Sequence, residues 1–236
     1  MTNWPKLVNN KNMPTREIPF KNNEIYHIVN RGITDQVVFN NKRAYQRAVD
    51  TICYYQNCNL PCRFSQFESL NLNLRQELRK ELMKKKELQV EIIAYCLMPN
   101  HFHLLLKQSA DKGIHKFVKN FTISYSRYFN TKNERKGPMF QGQFKAIRIT
   151  SDEQLLHVQR YIHLNPYSSF LVKTIDNLLN YEFSSLREYL GISEKKICNK
   201  KIVLDYFKNR DAFKNFVLDQ ADYQRSLDVI KHASLD

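Results

Sequence analysis

Glycine and proline are scarce in this 236-residue chain, with 5 and 7 copies, which excludes collagen-like and low-complexity architectures. Long apolar runs are missing too. The longest, Ile92 to Met98, falls far short of the roughly 20 residues that a membrane-spanning helix needs. Residues Met1 to Asn10 are polar, with no apolar stretch after their charges, so no secretory signal is expected and the cytoplasm is the expected compartment. The five cysteines (53, 58, 62, 96 and 198) are an odd set without a CxxC pair. They are expected as reduced thiols, not as a disulfide framework or a zinc site. No GxxxxGK[ST] loop occurs, so no nucleotide cofactor is expected.

What is abundant is positive charge. Lys and Arg total 37 against 23 Asp and Glu, a net +14. Such a surface favours a polyanionic partner through counterion release, with nucleic acid the first candidate. Aromatics are also frequent, with 13 Tyr and 15 Phe; most must be core, and some suit stacking on unpaired bases.

Residues 1 to about 23 read as a polar leader with prolines at 5, 14 and 19. Glu24 to Asn30 reads as a strand closed by Arg31-Gly32. Asn41 to about Asn57 is helical by the spacing of Tyr45, Val49, Ile52 and Gln56. Leu70 to Leu88 is a cation-rich helical stretch within an insertion at about 66–88. Gln89 to Leu97 and His101 to Lys107 flank Pro99-Asn100, the pattern of a β-hairpin. Gly113 to Asn130 is an amphipathic helix, Thr131 to Gln143 a basic loop, and Phe144 to Ile149 a short strand. Ser151, with Gln154 three residues on, opens a further helix. That helix is expected to stop near Asn165, because proline disfavours helical backbone in the residue before it. Tyr181 to Leu190 reads as a short helix, and about Val203 to Ile230 as helical and charged. The implied class is α+β: a ferredoxin-like β-α-β-β-α-β core with an antiparallel sheet, then a tyrosine-bearing helix and a helical C-terminal extension. The corresponding division is a leader at 1–23, a catalytic domain at 24–166 and an extension at 167–236.

Two clusters carry possible chemistry. On a strand, His101 and His103 share one face while Phe102 turns to the other, and two imidazoles so placed can hold a divalent metal. An isolated pair of this kind is more often two ordinary strand histidines. On the last helix of the core, Gln154, His157, Tyr161 and Asn165 make a polar stripe. Tyr161 alone is more often a packing residue, and Asn165 alone a helix-ending one.

In context the segments are more specific. Tyr26-His27-Ile28-Val29-Asn30-Arg31-Gly32, Met98-Pro99-Asn100-His101-Phe102-His103-Leu104-Leu105 and Tyr161-Ile162-His163-Leu164-Asn165-Pro166 occur in that order. With Gly137 to Lys145 and Tyr181 to Gly191, they resemble the HUH-type single-tyrosine transposases, most closely the REP-associated tyrosine transposases. The resemblance covers about residues 24 to 191. It implies that His101 and His103 bind Mg²⁺ or Mn²⁺, that Tyr161 is the nucleophile, and that Asn165 is a further ligand where the family often has the longer glutamine. Gln143 stands where a basic residue is expected.

The activity so implied is metal-dependent nicking and transfer of single-stranded DNA through a 5′-phosphotyrosine, at hairpins formed by imperfect palindromes, by a monomer or homodimer. Arg31, Lys119, Arg127, Lys145 and Arg148 are the candidate DNA contacts. Two other readings compete: a catalytically silent hairpin-DNA-binding regulator or structural factor, and a metal-dependent phosphodiesterase that uses water.

Overall fold

The computed structural model describes residues 19–233, with side chains through residue 227; residues 1–18 of the expected leader lie outside the described residues. Strand β1 (Ile25–Arg31) is followed by helices α1 (Lys42–Tyr55), α2 (Phe64–Ser69) and α3 (Leu72–Lys85). A hairpin of β2 (Val90–Met98) and β3 (His101–Gln108) leads to α4 (Gly113–Lys132), β4 (Lys145–Arg148) and α5 (Asp152–Ser168). The tail adds α6 (Ile175–Leu179), α7 (Leu186–Tyr189), α8 (Lys201–Leu204), α9 (Arg210–Leu218) and α10 (Ala221–Ala233). The four strands form one sheet in the order β2-β3-β1-β4, with every neighbouring pair antiparallel. This is the expected ferredoxin-like arrangement, enlarged by α2 and α3. No described helix is long and apolar enough to cross a membrane.

Both faces of the sheet are covered, because β2 and β3 are apolar on both sides. Phe102, Leu104 and Leu106 join one core with Ile52 of α1 and Phe117, Phe121 and Tyr125 of α4. Leu105, Cys96 and Met98 join a second core with Leu155, Ile162 and Leu164 of α5 and with Tyr189, Val203 and Phe213 of the tail. A β-bulge at Ile93, between the pairs Ile92–Leu106 and Ala94–Leu105, adjusts β2 to this demand. The extra residue lets Ile93 and Ala94 both enter the second core, which a strict alternation forbids.

Three details differ from the sequence-based expectation. Helix α5 does not stop at Asn165 but runs through Pro166 to Ser168. Proline there forgoes one backbone hydrogen bond, yet Ser169 N still donates to Asn165 O at 3.0 Å, and burial of Leu164 and Tyr167 holds the turn against the second core. The stretch from Val203 to Ile230 is helical as expected, but divided into α8, α9 and α10. Asn209 breaks it by accepting from Ala212 N at 2.8 Å, a new N-cap. Helix α2 was not foreseen; its buried Phe64 and Phe67 pin the insertion, whereas α3 has no buried residue.

One polar clip ties α5 to β2. Gln159 Nε2 donates to His163 Nδ1 at 2.6 Å, and His163 Nε2 donates to Ser185 Oγ at 2.7 Å. Ser185 Oγ in turn receives Tyr95 N at 3.0 Å. His163 is fully buried, and burial pushes its pKa down to about 3. In the unfolded chain histidine protonates near 6.5. Between those values the unfolded state binds more protons than the native state, so this contribution is complete above about pH 6.5 and is lost as pH falls. The loss is at most about 1.4 kcal/mol per pH unit for this one group. Urea unfolding at pH 7 and pH 5 should therefore show a marked acid loss of stability in the wild type. In His163→Gln the loss should be smaller by about one proton's worth; an unchanged pH slope would contradict this account.

Candidate active site

The register of β1 on β3 assembles the site. Val29 lies opposite His103 and Arg31 opposite His101, so His27, Val29, Arg31, His101 and His103 share the face that α5 covers. Gly32 ends β1 in a fold too tight for a side chain, since a Cβ there would collide with the Gln36 carbonyl oxygen. Its N–H donates to Asn100 O at 2.7 Å, which joins the end of β1 to the β2–β3 turn.

Helix α5 starts at Ser151, whose side chain accepts from Gln154 N at 3.2 Å, while Gln154 Oε1 accepts from Thr150 N at 2.8 Å. Three turns later the Tyr161 ring stands edge-on to His103, centroids 5.4 Å apart at 86°, and to His27 at 6.2 Å and 71°. One turn further Asn165 is 4% exposed, and its carboxamide favours the charged form of neighbouring His101. The stripe seen in the sequence thus divides. Tyr161 and Asn165 reach the histidines, whereas His157 is exposed and pairs through Nδ1 with Arg160 Nη2 at 2.8 Å.

Each histidine of the HxH pair is held at Nδ1. His101 Nδ1 donates to Asn100 Oδ1 at 2.6 Å, and His103 Nδ1 lies 3.0 Å from His27 Nε2. With the proton of His103 on Nδ1, His27 Nε2 accepts it and both Nε2 atoms of the pair keep a lone pair. His103 Nε2 and Asn165 Oδ1 are buried and have no hydrogen-bond partner. Unpartnered lone pairs at depth are costly, and these two fit the donor set of a metal site together with His101. No group of three or more His, Cys, Asp or Glu side chains suited to a metal occurs among the described residues, so a donor set built on these histidines would need the Asn165 amide.

The electrostatics suit neutral ligands. Burial lowers the His101 pKa to about 4, helped by Arg31, and burial lowers His27 to about 4. His103 is held well below the ordinary range by burial, then by His27, His101 and Arg31. All three imidazoles are therefore uncharged at neutral pH.

The candidate DNA contacts do not converge on one place. Lys145 lies opposite Val29 on the face of the histidines, two strand spacings or about 10 Å from the His103 row. Arg31 is beside His101 but paired with Asp35 at 3.0 Å. Arg148 lies opposite Tyr26, on the other face, and is tied to Glu24. Lys119 and Arg127 sit on α4 along a surface hollow. Sequence reasoning assigned no role to His27, although the strand alternation that flags His101 and His103 also places His27 on a buried face. Gln224 of α10, which donates to Tyr161 O at 3.3 Å, left no readable signal.

Residues 62–165 match the family model described as IS200-like transposase; the match includes β2 through Asn165 and omits β1 with His27. No curated protein matches. Among solved structures, the chain is similar to a REP-associated tyrosine transposase bound to a REP hairpin, with TM-score 0.52, 14% identity and coverage of 78% of this chain and 90% of that one. A proposed transposase from Deinococcus radiodurans aligns with TM-score 0.34 and 17% identity over 64% of this chain and 95% of that one, a similarity too low to bear on the fold. The family match, with the fold shared with the first structure, supports a transposase-like DNA-processing role.

If His27 fixes the His103 tautomer, its loss should weaken metal binding. His27→Phe is expected to lower Mn²⁺ affinity by roughly 10- to 100-fold in calorimetry, and His27→Gln, which keeps an acceptor, should recover part of it. Equal affinity in both variants and the wild type would remove this role.

Proposed function

We propose that this protein nicks single-stranded DNA and transfers the strand through a covalent 5′-phosphotyrosine at Tyr161, acting at hairpin-forming repeats. The observation that carries the reading is the pair of buried acceptors without a hydrogen-bond partner, His103 Nε2 and Asn165 Oδ1, with the Tyr161 ring packed against the His103 ring at a centroid distance of 5.4 Å. His101, His103 and Asn165 would hold Mg²⁺ or Mn²⁺. Such an ion polarises a scissile phosphate and offsets charge on the leaving oxygen.

The chain's own residues supply the rest. A free phenol ionises only near pH 10, so Tyr161 depends on being held at the phosphorus. Its Oη forms the new P–O bond and gives up its proton, while the bond to the 3′ oxygen breaks and that oxygen leaves as a hydroxyl after gaining a proton. The 5′ phosphate stays on the tyrosine. An incoming 3′-OH reverses the same steps and restores the phenol. One phosphodiester replaces another, so no nucleotide is consumed. Lys145, and Arg31 once released from Asp35, face the same side and supply phosphate contacts. The similar solved structure is bound to a REP hairpin, which supports a hairpin-bearing strand as the partner here.

A denaturing gel with end-labelled hairpin oligonucleotides carrying single-stranded flanks tests this. With Mg²⁺ or Mn²⁺ the wild type should give protein-linked DNA that EDTA abolishes. Tyr161→Phe should give none, with affinity for the same DNA within about 2-fold because the phenol oxygen is not a major binding contact. Cleavage without an adduct would favour a water nucleophile, and tight binding without cleavage would favour a silent DNA-binding factor.

A further inference from the structure

Strand β1 ends in a cation that stands beside the candidate site already engaged. Arg31 is the register partner of His101, and its Nη1 donates to Asp35 Oδ1 at 3.0 Å. Burial and then the Arg31 charge lower the His101 pKa, while Asp35 acts in the other direction, so both charges are felt at the histidine. The pair is open to solvent, with side chains 47% and 60% exposed. An exposed pair of this kind contributes little stability. The backbone is nevertheless bent to form it.

A strand carried on from Arg31 would set residue 35 about 13 Å away. Instead the chain turns back at Gly32, where a Cβ would meet the Gln36 carbonyl oxygen, and Asp35 N donates to Gly32 O at 3.2 Å. Closing this turn places two successive non-glycine residues in the left-handed region, Thr34 at φ 51° and Asp35 at φ 55°. That region disfavours a β-branched residue such as threonine, and an exposed ion pair is too weak to enforce it. The turn is held by its flanks. Ile33 N donates to Met139 O at 3.0 Å, and Gln36 Nε2 donates to the same oxygen at 2.8 Å. Just beyond, Val38 N and Phe39 N both donate to Pro99 O, at 2.8 and 2.9 Å. A braced turn, not the attraction between the two side chains, presents the carboxylate to Arg31.

We propose that Asp35 is the resting occupant of the Arg31 guanidinium, a built-in competitor that a DNA phosphate must displace before it can lie beside His101. The proposal rests on the strand-transfer reading and adds a residue that sets how readily a strand enters the site. A carboxylate and a phosphodiester offer a guanidinium the same kind of charged oxygen acceptor. Exchange of one for the other leaves the turn in place, because its anchors are the Met139 and Pro99 carbonyls. It also has an ionic signature. A phosphate that meets a free arginine releases condensed counterion, whereas displacing Asp35 exposes a carboxylate that gathers a cation back. The Arg31 contact then adds little salt dependence, and strands with no other hold on the protein are kept off the site.

The test is fluorescence anisotropy of a labelled single-stranded oligonucleotide without a stem, in EDTA to prevent cleavage, over a range of NaCl. Asp35→Asn removes the charge and keeps a residue that tolerates the left-handed conformation. It should bind about 2- to 5-fold more tightly than the wild type, the range that an exposed ion pair commands. Its log K against log salt slope should be steeper by about 0.7, one further phosphate contact on a single strand. Asp35→Gly, which carries no left-handed strain, should show the same gain. Arg31→Ala should bind more weakly than the wild type, and Arg31→Ala/Asp35→Asn should match it, because a competitor without its arginine blocks nothing. A gain that persists without Arg31 overturns the proposal and leaves Asp35 as a general repelling charge. Unchanged or weaker binding by both Asp35 variants overturns it too. The adduct gel on the wild type separates the two readings. An adduct without an Asp35 effect removes only the competitor, and an Asp35 effect without an adduct removes only the strand transfer.

Discussion

The alternation of β3 between two buried faces is the constraint on which the site depends. His101, Phe102 and His103 are consecutive, and a strand must send Phe102 one way and the histidines the other. Phe102 enters the aromatic core with Phe121 and Phe140, at centroid distances of 5.1 Å and 5.6 Å. Burial of each such ring contributes on the order of 2 to 3 kcal/mol, so the register is fixed by apolar packing. The imidazoles inherit their place from it. A one-residue slip would move the phenylalanine under α5 and the histidines into the apolar core of α1 and α4.

The same logic explains why the helix that brings Tyr161 must pack closely and why the tail exists. Helix α5 is the lid of the second core, and its position sets the distance between the phenol ring and His103. The tail braces it from outside: Tyr167 Oη donates to Asp222 Oδ1 at 2.8 Å, Arg225 lies over Tyr167 and Phe170 at 4.2 Å each, and Gln224 bonds the Tyr161 carbonyl. From the sheet side, the His163 clip fixes the same helix to β2. The proposed reaction needs its nucleophile placed within fractions of an ångström, and a helix held from two sides supplies that better than a loop.

What the sequence discloses follows from how local each signal is. The HxH spacing, the Ser151 cap and the i, i+4 relation of Tyr161 to Asn165 are properties of single elements, and each is where its pattern places it. The hairpin at Pro99-Asn100 is local as well. The bulge at Ile93 is not, because it answers to a second core whose other side comes from Leu155 onward in the chain. Nor is the continuation of α5 through Pro166, where burial of Leu164 and Tyr167 outweighs a local cost. Arg148 looked like any surface cation; only the β1–β4 register, which sets it beside Glu24, removes it from the face of the histidines. His27 lies within the Tyr26 to Gly32 motif, but its contact with His103 spans two strands and depends on their register.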